Sequence, residues 1–181
     1  MCSSDLYFDA LEKLAKELPK TYWGSVAHDR NLASQFKLGS DAIPFHVTTT
    51  ENTKVESQAL RGRAVLLVYW DSAQEHAQGV VAAVQALRKQ HGEDLFVLGI
   101  ALDQDANAFR KAATQLGATF LQVCDGKGVA TDLALRYGVE IAPTMIVLDR
   151  KGRIAGLNLH VDTKDARDEL AEAMQRALAR E

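Results

Sequence analysis

The stretch VLLVYWDSAQEHAQ, residues 65–78, joins an apolar run to a polar one, and this change decides the type of fold. Ala64–Trp70 is apolar throughout and has the length of a buried strand. From Val80 to Leu87 apolar residues recur at helical spacing, which predicts a helix over residues 73–90. A buried strand that runs into a helix is typical of α/β proteins, which place their ligand sites beyond the carboxyl ends of strands.

Strands and helices alternate on both sides of this junction. Upstream, FHVTTT and KVES predict a short hairpin. Downstream, LFVLGIALD predicts a strand, Asp105 caps a helix to Leu116, ATFLQVCD predicts another strand, and a short helix follows. TMIVLD and RIAGLNL predict two strands joined by a turn, and a last helix spans residues 163–179. This order predicts βαβ units in a partly parallel sheet, to which the closing pair of strands adds an antiparallel hairpin.

The first part of the chain is predicted to be helical. DLYFDALEKLAKEL has helical spacing of apolar residues and ends at Pro19, and a second short helix is predicted over residues 29–36. We therefore expect residues 1–40 to form a helical N-terminal extension and residues 41–181 to form the α/β domain.

Composition and charge exclude several classes of function. The 181 residues suffice for one well-buried domain. The formal net charge of -3 comes without a basic stripe, so no nucleic-acid partner is expected. No apolar run approaches the roughly 20 residues of a membrane span, and no signal peptide is visible in this chain. The sequence predicts no cofactor.

The chain has two cysteines, Cys2 and Cys124, which form neither a metal-binding pattern nor a disulfide framework. Cys2 precedes Ser-Ser-Asp, as the lipid-bearing cysteine of a processed lipoprotein would, so a lipid anchor at Cys2 is one interpretation. An ordinary residue in a frayed terminus is the other.

Three segments carry a resemblance to a known family. IPF (residues 43–45), LRGRAVLLVYW (residues 60–70) and YGVEIAPTMIVLDRKGRI (residues 137–154) resemble, in order and spacing, the TlpA/ResA-type thiol–disulfide oxidoreductases of the thioredoxin superfamily. The resemblance covers about residues 40 to 180. It implies a thioredoxin-like fold, that is, a three-layer α/β/α sandwich with a central mixed β-sheet and an N-terminal β-hairpin. It also implies a cis peptide bond before Pro143 and a periplasmic or cell-envelope location.

The departure from that family lies in the opening stretch. Counted from Trp70, the two redox cysteines of the family's W-C-x-x-C motif fall on Gln74 and Ala77, and the preceding aromatic residue falls on Ala73. Thiol–disulfide exchange needs a thiolate that attacks and a second thiol that resolves the mixed disulfide. Neither glutamine nor alanine does either, so the resemblance predicts a site without its usual redox chemistry.

Two interpretations of the polar residues after Trp70 remain open. Ser72 and Glu75 have the spacing of a capping box, which predicts a purely structural helix start. Alternatively, Asp71, Glu75 and His76 act as a general base or bind a metal, although adjacent helical positions point about 100° apart. The sequence favours the capping box and no metal site.

Cys124 is the remaining candidate nucleophile, at the end of the strand ATFLQVC. Free cysteine is more often buried and inert. A reactive thiol would need exposure and a lowered pKa, and only Lys127 offers a positive charge nearby.

The family resemblance also implies a groove beside Pro143 that accepts an extended partner strand. Its expected members are Trp70, Asp71, Ala73, Gln74, Glu75, His76, Ala142 and Pro143. Two functions follow: a redox-inactive module that binds a protein or an extended peptide segment there, or a thiol-dependent oxidoreductase or antioxidant protein that uses Cys124 alone or with a partner's cysteine.

Overall fold

A computed structural model describes residues 3–179 of the chain. It begins with two helices and a two-stranded hairpin: α1 (Ser3–Glu17), α2 (Tyr22–Ala33), β1 (His46–Thr48) and β2 (Lys54–Glu56). The alternating part follows as β3 (Ala64–Trp70), α3 (Ala77–His91), β4 (Leu95–Ala101), α4 (Ala106–Gln115), β5 (Leu121–Val123), α5 (Asp132–Tyr137), β6 (Thr144–Leu148), β7 (Ile154–Leu159) and α6 (Lys164–Leu178).

The five main strands form one mixed sheet in the order β5-β4-β3-β6-β7. Strands β3, β4 and β5 are parallel, whereas β6 runs antiparallel to both β3 and β7. In the register, Leu67 of β3 lies between Leu98 of β4 and Ile146 of β6. A central strand covered on both faces has no solvent-facing side, which is why β3 is apolar along its whole length.

Side chains of β3 alternate between two hydrophobic clusters, one on each face of the sheet. Leu66, Val68 and Trp70 pack with α3, α4 and α6. Val65, Leu67 and Tyr69 pack with α5 and the hairpin. The predicted three-layer sandwich with a mixed sheet and an N-terminal hairpin is therefore confirmed.

The two N-terminal helices lie outside the sheet, and α2 connects α1 to the rest of the domain. Helix α1 packs on α2, and α2 packs on α5. The guanidinium of Arg136 on α5 donates to Ser25 Oγ at 2.8 Å and pairs with Asp29. The second helix begins at Tyr22 rather than at residue 29, because the Thr21 hydroxyl accepts from Gly24 N–H and caps it there.

Two expectations from the sequence concern membrane attachment. Among the helices of residues 3–179, none combines the length and the apolar character that a membrane span requires. The lipid anchor suggested at Cys2 falls outside the described residues.

Two other boundaries differ from the predictions. The strand expected over residues 118–125 is reduced to Leu121–Val123, because β5 is an edge strand that pairs with β4 over three residues only. Helix α3 begins at Ala77 rather than at residue 73.

Candidate functional site

Three loops meet at the carboxyl ends of the parallel strands. Trp70, which ends β3, pairs in register with Ala101, which ends β4. On the other side of β3, Tyr69 pairs with Thr144, the first residue of β6. Strand pairing therefore brings residues 71–76, 102–105 and 139–143 to the same edge of the sheet.

The loop between β3 and α3 does not form the predicted capping box. The residue before α3 is His76, and no side chain caps the helix. Ser72 instead donates its N–H to Asp103 Oδ2 at 3.1 Å and its hydroxyl to Oδ1 of the same carboxylate. A charged carboxylate is a stronger acceptor than a backbone or neutral group. The prediction is wrong: α3 begins only at Ala77, and the Ser72 N–H that Glu75 would accept in a capping box is donated to Asp103, distant in sequence.

Asp103 is one of the site residues that sequence reasoning missed. It follows β4, is 8% exposed, and has a raised pKa, chiefly because burial disfavours the carboxylate and despite the hydrogen bonds from Ser72. The negative charge of Asp71 raises this pKa further. Its position directly after a parallel strand neighbouring β3 was the available signal, because carboxyl ends of adjacent parallel strands converge.

The positions that correspond to the family's two cysteines differ in exposure. Gln74 is exposed, whereas Ala77, the first residue of α3, is buried in one of the two core clusters. A turn joins them, because Ala77 N–H donates to the Gln74 carbonyl at 3.1 Å. The structure thus places one of these side chains at the surface and the other beneath it.

Trp70 does not line a groove, contrary to the expectation. Its side chain is 1% exposed and packs edge-on against Phe109 with ring centroids 5.5 Å apart. The indole N–H donates to Gln122 Oε1 at 3.1 Å. Because side chains alternate along β3, that of Trp70 points into the core and lies beneath the loop that joins β3 to α3.

A surface groove runs between these three loops and the 3-10 turn Gly128–Ala130, and we call it the loop groove. Its polar lining comprises Asp71, Gln74, Gln104 and Glu140, and its other lining residues include Leu102, Val129, Ile141 and Ala142. Of the predicted members, Asp71, Gln74 and Ala142 are thus brought together. Sequence reasoning missed the other members because they come from separate loops.

The remaining predicted members do not line the loop groove. Ala73, Glu75 and His76 are exposed on the loop before α3, and the half-buried Pro143 is not part of the lining. Within residues 3–179, no group of three or more histidine, cysteine, aspartate or glutamate side chains is arranged to hold a metal ion. The arrangement of Asp71, Glu75 and His76 as metal ligands therefore has no geometric support among the described residues.

The loop before β6 lines part of this groove and contains backbone groups without hydrogen-bond partners among the described residues. The peptide bond between Ala142 and Pro143 is cis. Thr144 Oγ1 donates to the Ile141 carbonyl at 2.9 Å, and His160 Nδ1 lies 2.7 Å from the Pro143 carbonyl. Because a carbonyl only accepts, this Nδ1 carries the proton. The N–H and carbonyl of Ala142 have no hydrogen-bond partner among the described residues.

Cys124 has the environment of an unreactive thiol. It is half-buried beside the core, after β5, and is not part of the lining of the loop groove. Burial raises its pKa, and the carboxylates of Asp103 and Asp125 raise it further, against a hydrogen bond from Gly126 N–H. A raised pKa leaves little thiolate at neutral pH.

Known proteins resemble this chain in sequence. The Redoxin family model matches residues 33–174. The thioredoxin-like protein YneN of Bacillus subtilis is 27% identical over 129 residues, which are 70% of this chain and 74% of YneN. Thiol-disulfide oxidoreductase ResA of Bacillus anthracis is 27% identical over 133 residues, 72% of this chain and 75% of ResA.

Solved structures agree with the architecture. A protein described as thiol:disulfide interchange protein DsbE from Chlorobium tepidum superposes with a TM-score of 0.68 at 22% identity, over 80% of this chain and all (100%) of that one. A thiol-disulfide oxidoreductase from Bacteroides fragilis superposes with a TM-score of 0.62 at 25% identity, over 73% of this chain and 99% of the other. With a family match over most of its length and a thioredoxin-like fold, the chain belongs to the Redoxin family and is similar to thiol-disulfide oxidoreductases of the ResA type.

Proposed function

We propose that this protein binds an extended polypeptide segment in the loop groove and performs no dithiol–disulfide exchange itself. The observation that carries the proposal is the backbone of Ala142. Its N–H and carbonyl lack partners among the described residues, and Ala142 is one of the residues that line the groove. An extended segment satisfies such groups by pairing with them as an added strand.

The side chains around Ala142 support the same function. Ile141 is 66% exposed and Val129 is 50% exposed, and both line the groove. Apolar side chains held at the surface beside unpaired backbone groups favour a partner with its own apolar residues. The amides of Gln74 and Gln104 add hydrogen-bonding groups to the same lining.

The proposal that the protein performs no dithiol–disulfide exchange rests on the number and positions of its cysteines. The sequence contains cysteine only at positions 2 and 124, so no two cysteines are three residues apart. The positions that we align with the family's reactive pair are Gln74 and Ala77, and neither side chain supplies a thiolate. The alternative function, a thiol-dependent enzyme that uses Cys124, gains no support from a half-buried thiol with a raised pKa.

Two variants test whether the aligned positions are correct. Gln74→Cys with Ala77→Cys places two thiols in one turn, with Cα atoms inside the roughly 4.4–6.8 Å range that a disulfide requires. We expect this variant to form an intramolecular disulfide and to reduce insulin weakly. The wild-type protein and Gln74→Ser with Ala77→Ser, the matched control without thiols, should remain at background. If mass spectrometry of the folded, oxidised variant shows no link between residues 74 and 77, the alignment of this junction is wrong.

Binding is tested directly by NMR titration with extended peptides of alternating apolar and polar residues. The amide signals of residues 128–129 and 140–142 should shift most, and Ile141→Ser should weaken the binding. Val47→Ser, on the hairpin, is the control for a similar apolar-to-polar change elsewhere. Absence of any peptide-dependent shift at residues 140–142 would refute the proposal.

We also propose that the protein works in the cell envelope. The support is its resemblance to the TlpA/ResA type, together with a structural neighbour described as a secreted disulfide oxidoreductase of Mycobacterium tuberculosis, at 17% identity and a TM-score of 0.58. Fractionation of the source cells with an antibody to this chain tests it. Recovery with cytoplasmic marker proteins alone would contradict this location.

A further inference from the structure

We infer that the loop groove selects an extended segment that carries a basic side chain beside an apolar one. This inference rests on the proposed function and adds the chemistry of the partner. It follows from the charges in the lining, the position of the exposed apolar side chains, and an ion pair between the groove and helix α2.

The charged residues that line the loop groove are both acidic. They are Asp71 and Glu140, and no lysine or arginine joins them in the lining. The Asp71 carboxylate accepts from Ala73 N–H at 2.9 Å, which holds one of its oxygens in place. Among the described residues Asp71 has no cationic partner, so its charge is available to a ligand.

Glu140 differs from Asp71 because α2 already supplies its counter-charge. Arg30 of α2 pairs with the Glu140 carboxylate, and its guanidinium lies 5.6 Å from the Tyr7 ring centroid on α1. The N-terminal helices therefore reach the edge of the groove and neutralise one of its two acids. Asp71 remains as the main electrostatic attraction for a basic side chain.

The apolar part of the partner follows from Ile141 and Val129. Both are exposed, and Ile141 adjoins the unpaired backbone of Ala142. A segment that pairs with Ala142 in an extended conformation turns successive side chains to opposite sides. One side chain then covers the apolar residues while a neighbour reaches the acidic part of the lining. Alternating valine and lysine is the simplest sequence with this property.

The test compares three fluorescent peptides in which valine alternates with lysine, serine or glutamate. Fluorescence anisotropy is measured at low and at physiological salt with the full chain. We expect the lysine peptide to bind most tightly and to lose affinity at the higher salt, because exposed charge pairs are screened. The serine peptide should bind more weakly with little dependence on salt, and the glutamate peptide most weakly.

Four variants assign the effect to individual charges. Asp71→Asn should weaken binding of the lysine peptide by about two- to fivefold, the range for exposed ion pairs, and leave the serine peptide unchanged. Asp168→Asn, the same change at an exposed position of α6, should alter neither. Arg30→Gln should strengthen binding of the lysine peptide by freeing Glu140, whereas Glu140→Gln should weaken it by freeing Arg30. Urea unfolding verifies that each variant is folded.

The possible outcomes separate this inference from the function on which it rests. Equal affinity for the three peptides, or tighter binding of the glutamate peptide, overturns the selection for basic segments while peptide binding stands. An effect of Asp168→Asn as large as that of Asp71→Asn also overturns it. If no peptide binds and Ile141→Ser changes nothing, the proposed function fails, and this inference fails with it.

Discussion

Two helices of this domain each follow a parallel strand, but they start in different ways. Helix α4 is capped by Asp105, whose Oδ1 accepts from the N–H groups of Asn107 at 2.8 Å and Ala108 at 3.1 Å. Helix α3 starts at Ala77 without a side-chain cap, although Ser72 and Glu75 have the spacing of one. The same kind of sequence signal therefore held at one junction and failed at the other.

The difference lies in what else each polar side chain can reach. Asp105 is exposed, so the nearest donors are the amides of its own helix. Ser72 lies where β3 and β4 end together, and the Asp103 carboxylate is within hydrogen-bond distance of both its donors. Local capping signals are reliable where no stronger partner is brought in by the sheet.

Among the substitutions that test this comparison, Asp103→Ala should cause the largest loss of stability. The substitution removes the acceptor for the Ser72 N–H and hydroxyl, and we expect the free energy of unfolding to fall by about 2 kcal/mol. Equilibrium urea unfolding at neutral pH measures it. Asp71→Ala, at the neighbouring loop, serves as the control and should change stability less. A loss for Asp103→Ala no greater than that for Asp71→Ala would show that the Ser72 contact does not hold the loop.

A double-mutant cycle between Ser72→Ala and Asp103→Asn should give a coupling energy of about 1 kcal/mol, because the two side chains share a hydrogen bond. The matching cycle between Ser72→Ala and Glu75→Gln should give a coupling close to zero. Urea unfolding of the single and double variants provides both values. Coupling of Ser72 to Glu75 and not to Asp103 would show that the capping box forms and that the two helices start in the same way.

The smallest effects, and the sharpest contrast, concern pH. Burial raises the pKa of Asp103, so the stability contributed by its protonated form is present below the ordinary aspartate pKa and is lost as pH rises through the folded value. Hydrogen bonds from Ala108 and Asn107 lower the pKa of Asp105, so its contribution is present above the ordinary value and is lost as pH falls through the folded one.

These two aspartates should therefore respond oppositely to substitution. In the wild type, Asp103 makes the free energy of unfolding fall as pH rises, and this decrease should be absent from Asp103→Asn. Asp105 makes the free energy of unfolding increase as pH rises, and this increase should be absent from Asp105→Asn. Unfolding curves of both variants and of the wild type, recorded from pH 3 to pH 7, test this. Carboxyl NMR titrations of the wild type supply an independent reading, and pKa shifts in the same direction would contradict the contrast.

Much of the fold could be predicted because its signals are local. The predicted bounds of β3, Ala64–Trp70, are those of the structure, since a strand buried on both faces is apolar from end to end. The cap at Asp105 was also predicted correctly. The bounds of α2 and β5 were not, because the Thr21 cap was overlooked and β5 pairs with β4 over only three residues.

The candidate site was less accessible to sequence reasoning. Asp71, Gln74 and Ala142 were expected in the groove and line it. Trp70 was expected there and is buried, because the pleat of β3 sets its direction. Val129, Glu140 and Ile141 were missed, since they lie on loops that only strand pairing brings together.

The sequence by itself determined the order of strands and helices, the buried central strand, and the lack of two cysteines at C-x-x-C spacing. Each of these depends on residues within a few positions of one another. Only the tertiary structure decided that Ser72 bonds to Asp103, that Arg30 pairs with Glu140, and which side chains line the loop groove. These contacts join residues 31 and 110 positions apart, so their formation depends on how the sheet and the N-terminal helices pack.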